Sequence, residues 1–253
     1  MLSMFIPKTD RIKQLALVYP KSIKQIETLL AGTVNVYIDY ANIRPWAEKL
    51  GWHIDPKRLM QFLESFDNIS SVKFYTGTLV GDPVSEAFAS EITSLGYDLK
   101  TKPVKIMDIS IDASSIDPQS TALLKQFIRP SLLRKYDLAT IELLNKKFVE
   151  LNNVGIYSIQ DRKCNFDVEL GRDMLLDYER NSIDTYVLWS GDSDFAEPLA
   201  QLMSDGKNVR LFATSRRVAT EINALKSQGL FVFDIQKIKD FICWKKEMTP
   251  GIV

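Results

Sequence analysis

The sequence predicts an α/β fold of three layers, with a mostly parallel central sheet and helices on both of its faces. Short β-branched and aromatic runs alternate with amphipathic helical stretches toward both ends of the chain, the pattern of a parallel sheet with crossover helices. Glycines follow two helical stretches as stops, at Gly96 and Gly206, and Pro56 sits near the start of another. A chain of 253 residues is also long enough to build such a core without disulfides.

The elements follow in order. Residues 1–33 form an N-terminal helical extension, with Leu15, Leu17, Ile23, Ile26, Leu29 and Leu30 at helical spacing broken by Pro20. Val34–Asp39 reads as a buried strand. Helical stretches at 45–50 and 56–66 come next, the second with Leu59, Phe62, Leu63 and Phe66 along one face. A strand at 71–76, a helix at 83–95 and strands at 97–100 and 104–111 complete the first block. The second block runs helix 166–178, strand 185–190, helix 195–204, strand Asn208–Ala213, helix 217–227, strand 230–233 and helix 235–244.

Residues 112–153 break this rhythm, with helices expected at 119–128 and 132–151. This helical insertion reads as an amphipathic hairpin packed on the body. A homodimer contact and a cover over the substrate groove are the alternatives. The main domain then spans 34–244, and 245–253 is a C-terminal tail.

Composition narrows the chemistry. Lys plus Arg and Asp plus Glu both number 32, so the formal net charge is zero. A polyanion partner would therefore be held by local patches or bound cations, which excludes a histone-like coating protein. His53 is the one histidine. That removes HExxH zinc sites, paired-His sites and most Ser–His relays. Cys164 and Cys243 are far apart and lack ligand spacing, as expected of reduced thiols in the cytoplasm. No apolar run approaches the ~18 residues of a membrane span, and residues 1–31 lack the apolar core of a signal peptide. The expectation is a soluble, cytoplasmic protein with no membrane partner.

The candidate site is built from acids. Asp39 ends the first strand, Asp192 and Asp194 follow the strand at 185–190, and Asp167 lies in the first turn of the helix at 166–178. In open α/β sheets, functional residues gather beyond the carboxyl ends of the strands. Ser190 and Gly191 are small enough for a tight exit. Four carboxylates at one place repel each other unless a cation joins them. Oxygen-only ligands select a hard cation, Mg²⁺ or Mn²⁺, and phosphodiester hydrolysis is the natural chemistry of such a site. The bland reading is that Asp192 or Ser193 simply caps the next helix. Asp173, six residues after Asp167, would point about 120° away and pair with Arg172, Arg180 or backbone rather than a metal.

Three segments carry a family resemblance: Tyr37-Ile38-Asp39-Tyr40-Ala41-Asn42; Lys163 through Asp167 to Asp173-Met174-Leu175; and Val187-Leu188-Trp189-Ser190-Gly191-Asp192-Ser193-Asp194-Phe195 with Pro198-Leu199. Together they resemble the NYN family, a branch of the PIN-like nucleases that includes the LabA-like proteins. The resemblance is read from Val34 to Phe241, with the helical insertion outside it. It implies a PIN-like (Rossmann-like) fold and a metal-dependent endoribonuclease. Asp39, Asp167, Asp192 and Asp194 would be the catalytic metal ligands, Asn42 would support Asp39 or a metal-bound water, and Ser190 would orient the loop or touch phosphate. The sequence departs from the family at Tyr40, where Gly is common, so a bulky ring there would narrow the groove or stack on a base.

Lys163, Arg216 and Arg217 are the candidate phosphate contacts, with Arg162 and Arg44 nearby in sequence. Tyr40, Trp46 and Trp52 are candidate stacking platforms for unpaired bases of single-stranded or structured RNA, although an aromatic in this context is more often part of the core. The main rival is a PIN-like RNA-binding or regulatory module with little or no turnover. A phosphatase of another α/β type ranks below it, because Asp39-Tyr40-Ala41 lacks the second acid of an Asp-x-Asp loop.

Overall fold

Val34–Asp39 is a strand, β1, and all six of its residues are buried, as expected of a central strand in which Val34, Val36, Tyr37 and Ile38 are apolar or aromatic. The computed structural model describes residues 4–47, 51–180, 183–214 and 218–243. In chain order the other strands are β2 (Ile69–Thr78), β3 (Asp98–Pro103), β4 (Lys105–Ser110), β5 (Ser158–Lys163), β6 (Thr185–Trp189), β7 (Asn208–Ala213) and β8 (Phe231–Asp234). By internal contacts the chain divides into two units, one made of 1–103 with 164–253 and the other of 104–163.

The larger unit holds a six-stranded sheet in the order β3-β2-β1-β6-β7-β8, with every neighbouring pair parallel. The order runs outward in one direction from β1 and in the other from β6. Right-handed crossovers then put the helices of the two halves on opposite faces. The helices Pro56–Leu63 and Pro83–Ser94 serve the first half, and Asp167–Arg180 and Ala196–Ser204 the second. Asp55 and Asp82 start the first two through side-chain caps, each followed by Pro at the first position.

The N-terminal extension forms two helices, Asp10–Val18 and Pro20–Leu29, and buries Ile12, Ile23, Ile26 and Leu29 in the main core. Arg11 ties the first of them to the helix Lys239–Ile242 through the carbonyls of Asp240 and Phe241.

In the unit 104–163, β4 and β5 pair antiparallel as a sheet of their own. The strand expected at 104–111 therefore stands outside the main sheet. Its partner β5 was not expected at all. The helix expected at 119–128 is reduced to a single 3₁₀ turn, Leu124–Gln126. The one expected at 132–151 is split into Pro130–Leu133 and Leu138–Asn153. Asp137 makes the split, since its side chain accepts from Thr140 N at 2.8 Å and caps a new helix. In the larger unit the helix expected at 217–227 contracts to Thr220–Ala224 with a 3₁₀ turn after it.

Candidate active site

Side chains alternate across a strand, so Asn35, Tyr37 and Asp39 share one face of β1. That face carries the helix Asp167–Arg180, because Asp177 Oδ2 accepts from Asn35 Nδ2 at 2.8 Å, Tyr37 OH at 2.6 Å and Lys73 Nζ of β2 at 2.6 Å. One turn earlier, Asp173 accepts from Tyr75 OH at 3.0 Å and pairs with Arg172 at 2.9 Å. Asp173 thus pairs with Arg172, as expected. Two buried carboxylates fix the helix to the sheet, and its first residue, Asp167, is placed as a result. These docking acids were not foreseen as such, because their partners lie on strands far away in sequence.

Asp39 and Ser190 end β1 and follow β6, at the point where the strand order reverses. Ser190 Oγ donates to Asp39 Oδ2 at 3.1 Å and accepts from Asp192 N at 3.2 Å. Asn42 N donates to Asp39 Oδ1 at 3.2 Å, while Asn42 Oδ1 accepts from Gly191 N at 2.9 Å. Ser190 and Asn42 therefore lace the two strand ends together around a carboxylate that is only 6% exposed. Asp192 also caps the turn Ser193–Phe195, through a longer bond of 3.4 Å from Asp194 N. The capping reading of Asp192 holds.

Electrostatics ties the acids to one another. Burial pushes the Asp39 carboxyl up to about 6, against the bonds from Asn42 and Ser190 and with the charge of Asp192 adding to the rise. Burial also pushes Asp167 up to about 6; Asn165 opposes this, while a side-chain contact with Asp194 and the charges of Asp192 and Asp194 add to it. Asp192 acts on both Asp39 and Asp167, so the four acids form one interacting group. Among the described residues, no three acidic, His or Cys side chains stand as a ready-made metal cage. The donor set still fits a hard divalent ion. It offers oxygens alone, and its mutual repulsion is what a cation would relieve.

The remaining candidates are placed differently. Tyr40 packs its ring on Phe74 and Phe88, at 4.9 and 5.3 Å between centroids, and is half-buried. Trp46 and Trp52 are buried, which corrects their reading as stacking platforms. Lys163 ends β5, where its ammonium meets Asp161 at 3.3 Å. Arg216 and Arg217 lie outside the described residues. His53 is half-buried between buried Trp52 and Ile54, and neither cysteine is in a disulfide. No helix among the described residues is long and apolar enough to cross a membrane. One feature escaped the sequence reading altogether, an open groove of about 410 Å³ that begins at Asp167 and follows its helix.

A family model described as the NYN domain matches residues 109–229. The match contains Asp167, Ser190, Asp192 and Asp194, and Asp39 and Asn42 precede it. It also runs through 112–153, which corrects the expectation that this segment lies outside the resemblance. The low amplitude and bright protein LabA of Synechococcus elongatus is 24% identical over 208 residues, covering 82% of this chain and 86% of that protein. A solved structure from Vibrio parahaemolyticus, of a protein of unknown function, shares the fold at a TM-score of 0.50. It is 15% identical and covers 84% of this chain and 96% of that one.

Proposed function

We propose that this chain, an NYN-domain protein of the LabA-like kind with a PIN-like fold, is a ribonuclease that cuts RNA phosphodiesters using Mg²⁺ or Mn²⁺ at Asp39, Asp167, Asp192 and Asp194. One observation carries the reading: four interacting carboxylates, two of them with raised pKa values, gathered at the switch point of a parallel sheet. A bound divalent ion would neutralise charge on the phosphate and lower the pKa of an attacking water.

The chain's own residues hold and orient. Asp39 is fixed by Ser190 and Asn42 and presents its carboxylate at the strand end. Asp167 sits at a helix N-terminus, which favours its charged form against the burial that opposes it. Asp194 is exposed and faces solvent, from which substrate arrives. Asn42 holds the Gly191 backbone, so the loop that carries Asp192 and Asp194 keeps its exit angle.

The test is cleavage of a circular, labelled RNA by the purified protein with Mn²⁺, beside Asp194→Asn. Cutting of a circle reports internal scission. The unsubstituted protein should linearise it, and the variant should be slower by about 100-fold or more. No cleavage by the unsubstituted protein, or equal cleavage by both, defeats the reading. RNA bound tightly and left uncut under the same conditions would instead favour the RNA-binding module.

A further inference from the structure

Asp167 opens its helix, and the residues on either side of it are gripped from another element. Lys102 of β3 sets its ammonium against Glu169 Oε1 at 2.6 Å and over the Phe166 ring, 4.8 Å from the centroid. Its backbone carbonyl accepts a longer contact, 3.9 Å, from Cys164 Sγ. One residue of the sheet thus meets the chain on both sides of Asp167.

The register explains this placement. Asp39 pairs with Tyr75 and Tyr75 with Lys100, so Asp39, Tyr75 and Lys102 stand on one face of the sheet. Gly77 is opposite Lys102 and puts no side chain in its way. Tyr75 also meets Phe166, edge to face at 5.8 Å between centroids, and the Phe166 ring is buried. Both strands therefore fix that ring. The first turn of a helix lacks intrahelical partners for its own N–H groups and frays unless something holds it. Asn165 Oδ1 accepts from Asp167 N at 2.8 Å, and Leu170 N makes the first helical bond, to Phe166 O at 2.8 Å. The docking acid Asp173 comes six residues after Asp167, about 9 Å along the axis, too far to hold this turn.

We infer that Lys102 is a positioning residue of the acidic site, holding the first turn of the helix so that Asp167 stays within reach of an ion shared with Asp39, Asp192 and Asp194. The inference rests on the metal-site reading and adds a basic residue to it. An ion pair whose side chains are each 35% exposed contributes little to global stability, so its effect is local. Charge alone would work the other way. A positive group near the acids repels Mn²⁺, and removing it would by itself tighten binding. Positioning and simple electrostatics therefore predict opposite signs.

The experiment compares the unsubstituted protein with Lys102→Met, which removes the charge and keeps an unbranched chain, and with Lys102→Arg, which keeps the charge. Amide hydrogen exchange is read in EDTA, where neither metal nor turnover enters. In Lys102→Met the Leu170 amide should exchange about tenfold faster, while Met174 and Tyr178 keep their rates and the Tm barely moves. Mn²⁺ affinity, read from the EPR signal of the free ion, should fall about tenfold in Lys102→Met and stay within about twofold in Lys102→Arg. Unchanged exchange at Leu170 overturns the inference. So does faster exchange along the whole helix, or Mn²⁺ binding by Lys102→Met that is unchanged or tighter. A protein that binds no Mn²⁺ and cuts no RNA, yet shows the local rise in exchange, would uphold the hold on the first turn and defeat the nuclease reading.

Discussion

Ser190 joins two acids through one hydroxyl, bonded to Asp39 Oδ2 and to Asp192 N with no exposed surface of its own. Removing it leaves both carboxylates in place but unaligned, and groups that orient metal ligands are commonly worth 10–100-fold. Ser190→Ala should therefore lower kcat by about tenfold with KM near its original value, measured on single-stranded RNA with Mn²⁺. A rise in KM alone, with kcat unchanged, would assign the hydroxyl to ground-state binding instead. Charge repulsion makes a second prediction at this scale. Mn²⁺ at about 100 times its Kd should stabilise the protein by about 2.7 kcal/mol, seen as a higher Tm. Asp194→Asn should lose most of that increase, yet melt no lower than the unsubstituted protein in EDTA, because one of the repelling charges is gone. A lower metal-free Tm would show that Asp194 is needed for folding. The placement of Asp39, Asp192 and Asp194 beyond strand ends, and of Asp167 at a helix start, was legible because residue type and local pattern mark those positions directly. Asp173 and Asp177 were not legible as docking residues, since their partners stand 98 to 142 residues away.

The helix Asp167–Arg180 is the element on which the site turns, and its attachment is polar. Lys73 and Asp177 form an ion pair at 2.6 Å with both side chains only 11% exposed, and Tyr37 and Asn35 share the same carboxylate. Such a pair is weak evidence for stability as a whole, but removing one member strands the other. Lys73→Met should cost about 3 kcal/mol in urea unfolding. Asp177→Asn with Lys73→Met should recover part of that loss, and no recovery would mean that the two do not act as a pair. Gly32 supplies a different constraint on the same sheet. It turns into β1 at φ +76°, and a side-chain carbon there would collide with the Asp184 carboxylate that accepts from Thr33 N at 2.8 Å. Gly32→Ala should destabilise by about 1–3 kcal/mol, read from the same unfolding curve. Strands β1 and β6 were legible because both are fully buried and carry apolar runs. Strand β5, Ser158-Ile-Gln-Asp-Arg-Lys, has a single apolar residue and exists by pairing with β4, so local pattern gave no sign of it.

At the scale of the whole chain, alternation showed that the sheet would be parallel, but strand order depends on pairings between distant segments. It is that order, with β1 beside β6, that brings Asp39 to Ser190 across 151 residues. The excursion between β3 and the helix Asp167–Arg180 does not disturb it, for a reason visible in the register. Lys105 pairs with Lys163, so the chain enters and leaves the unit 104–163 at neighbouring points, about 5 Å apart between Cα atoms. The main hydrophobic core contains no residue of 104–163, and that unit has a small cluster of its own around Leu124, Leu133 and Ile141. Replacing residues 104–163 with a short Gly-Ser linker should therefore leave a protein that unfolds in one cooperative transition and keeps an α/β far-UV spectrum. Closing a shorter connection costs little entropy, so the Tm should fall by no more than about 5 °C, a change of roughly 1–2 kcal/mol. The Mn²⁺-dependent rise in Tm should survive too, since Asp39, Asp167, Asp192 and Asp194 all belong to the larger unit. A product without a cooperative transition would make the two units a single folding body. One that folds but no longer responds to Mn²⁺ would show that the four aspartates are not sufficient to hold the ion.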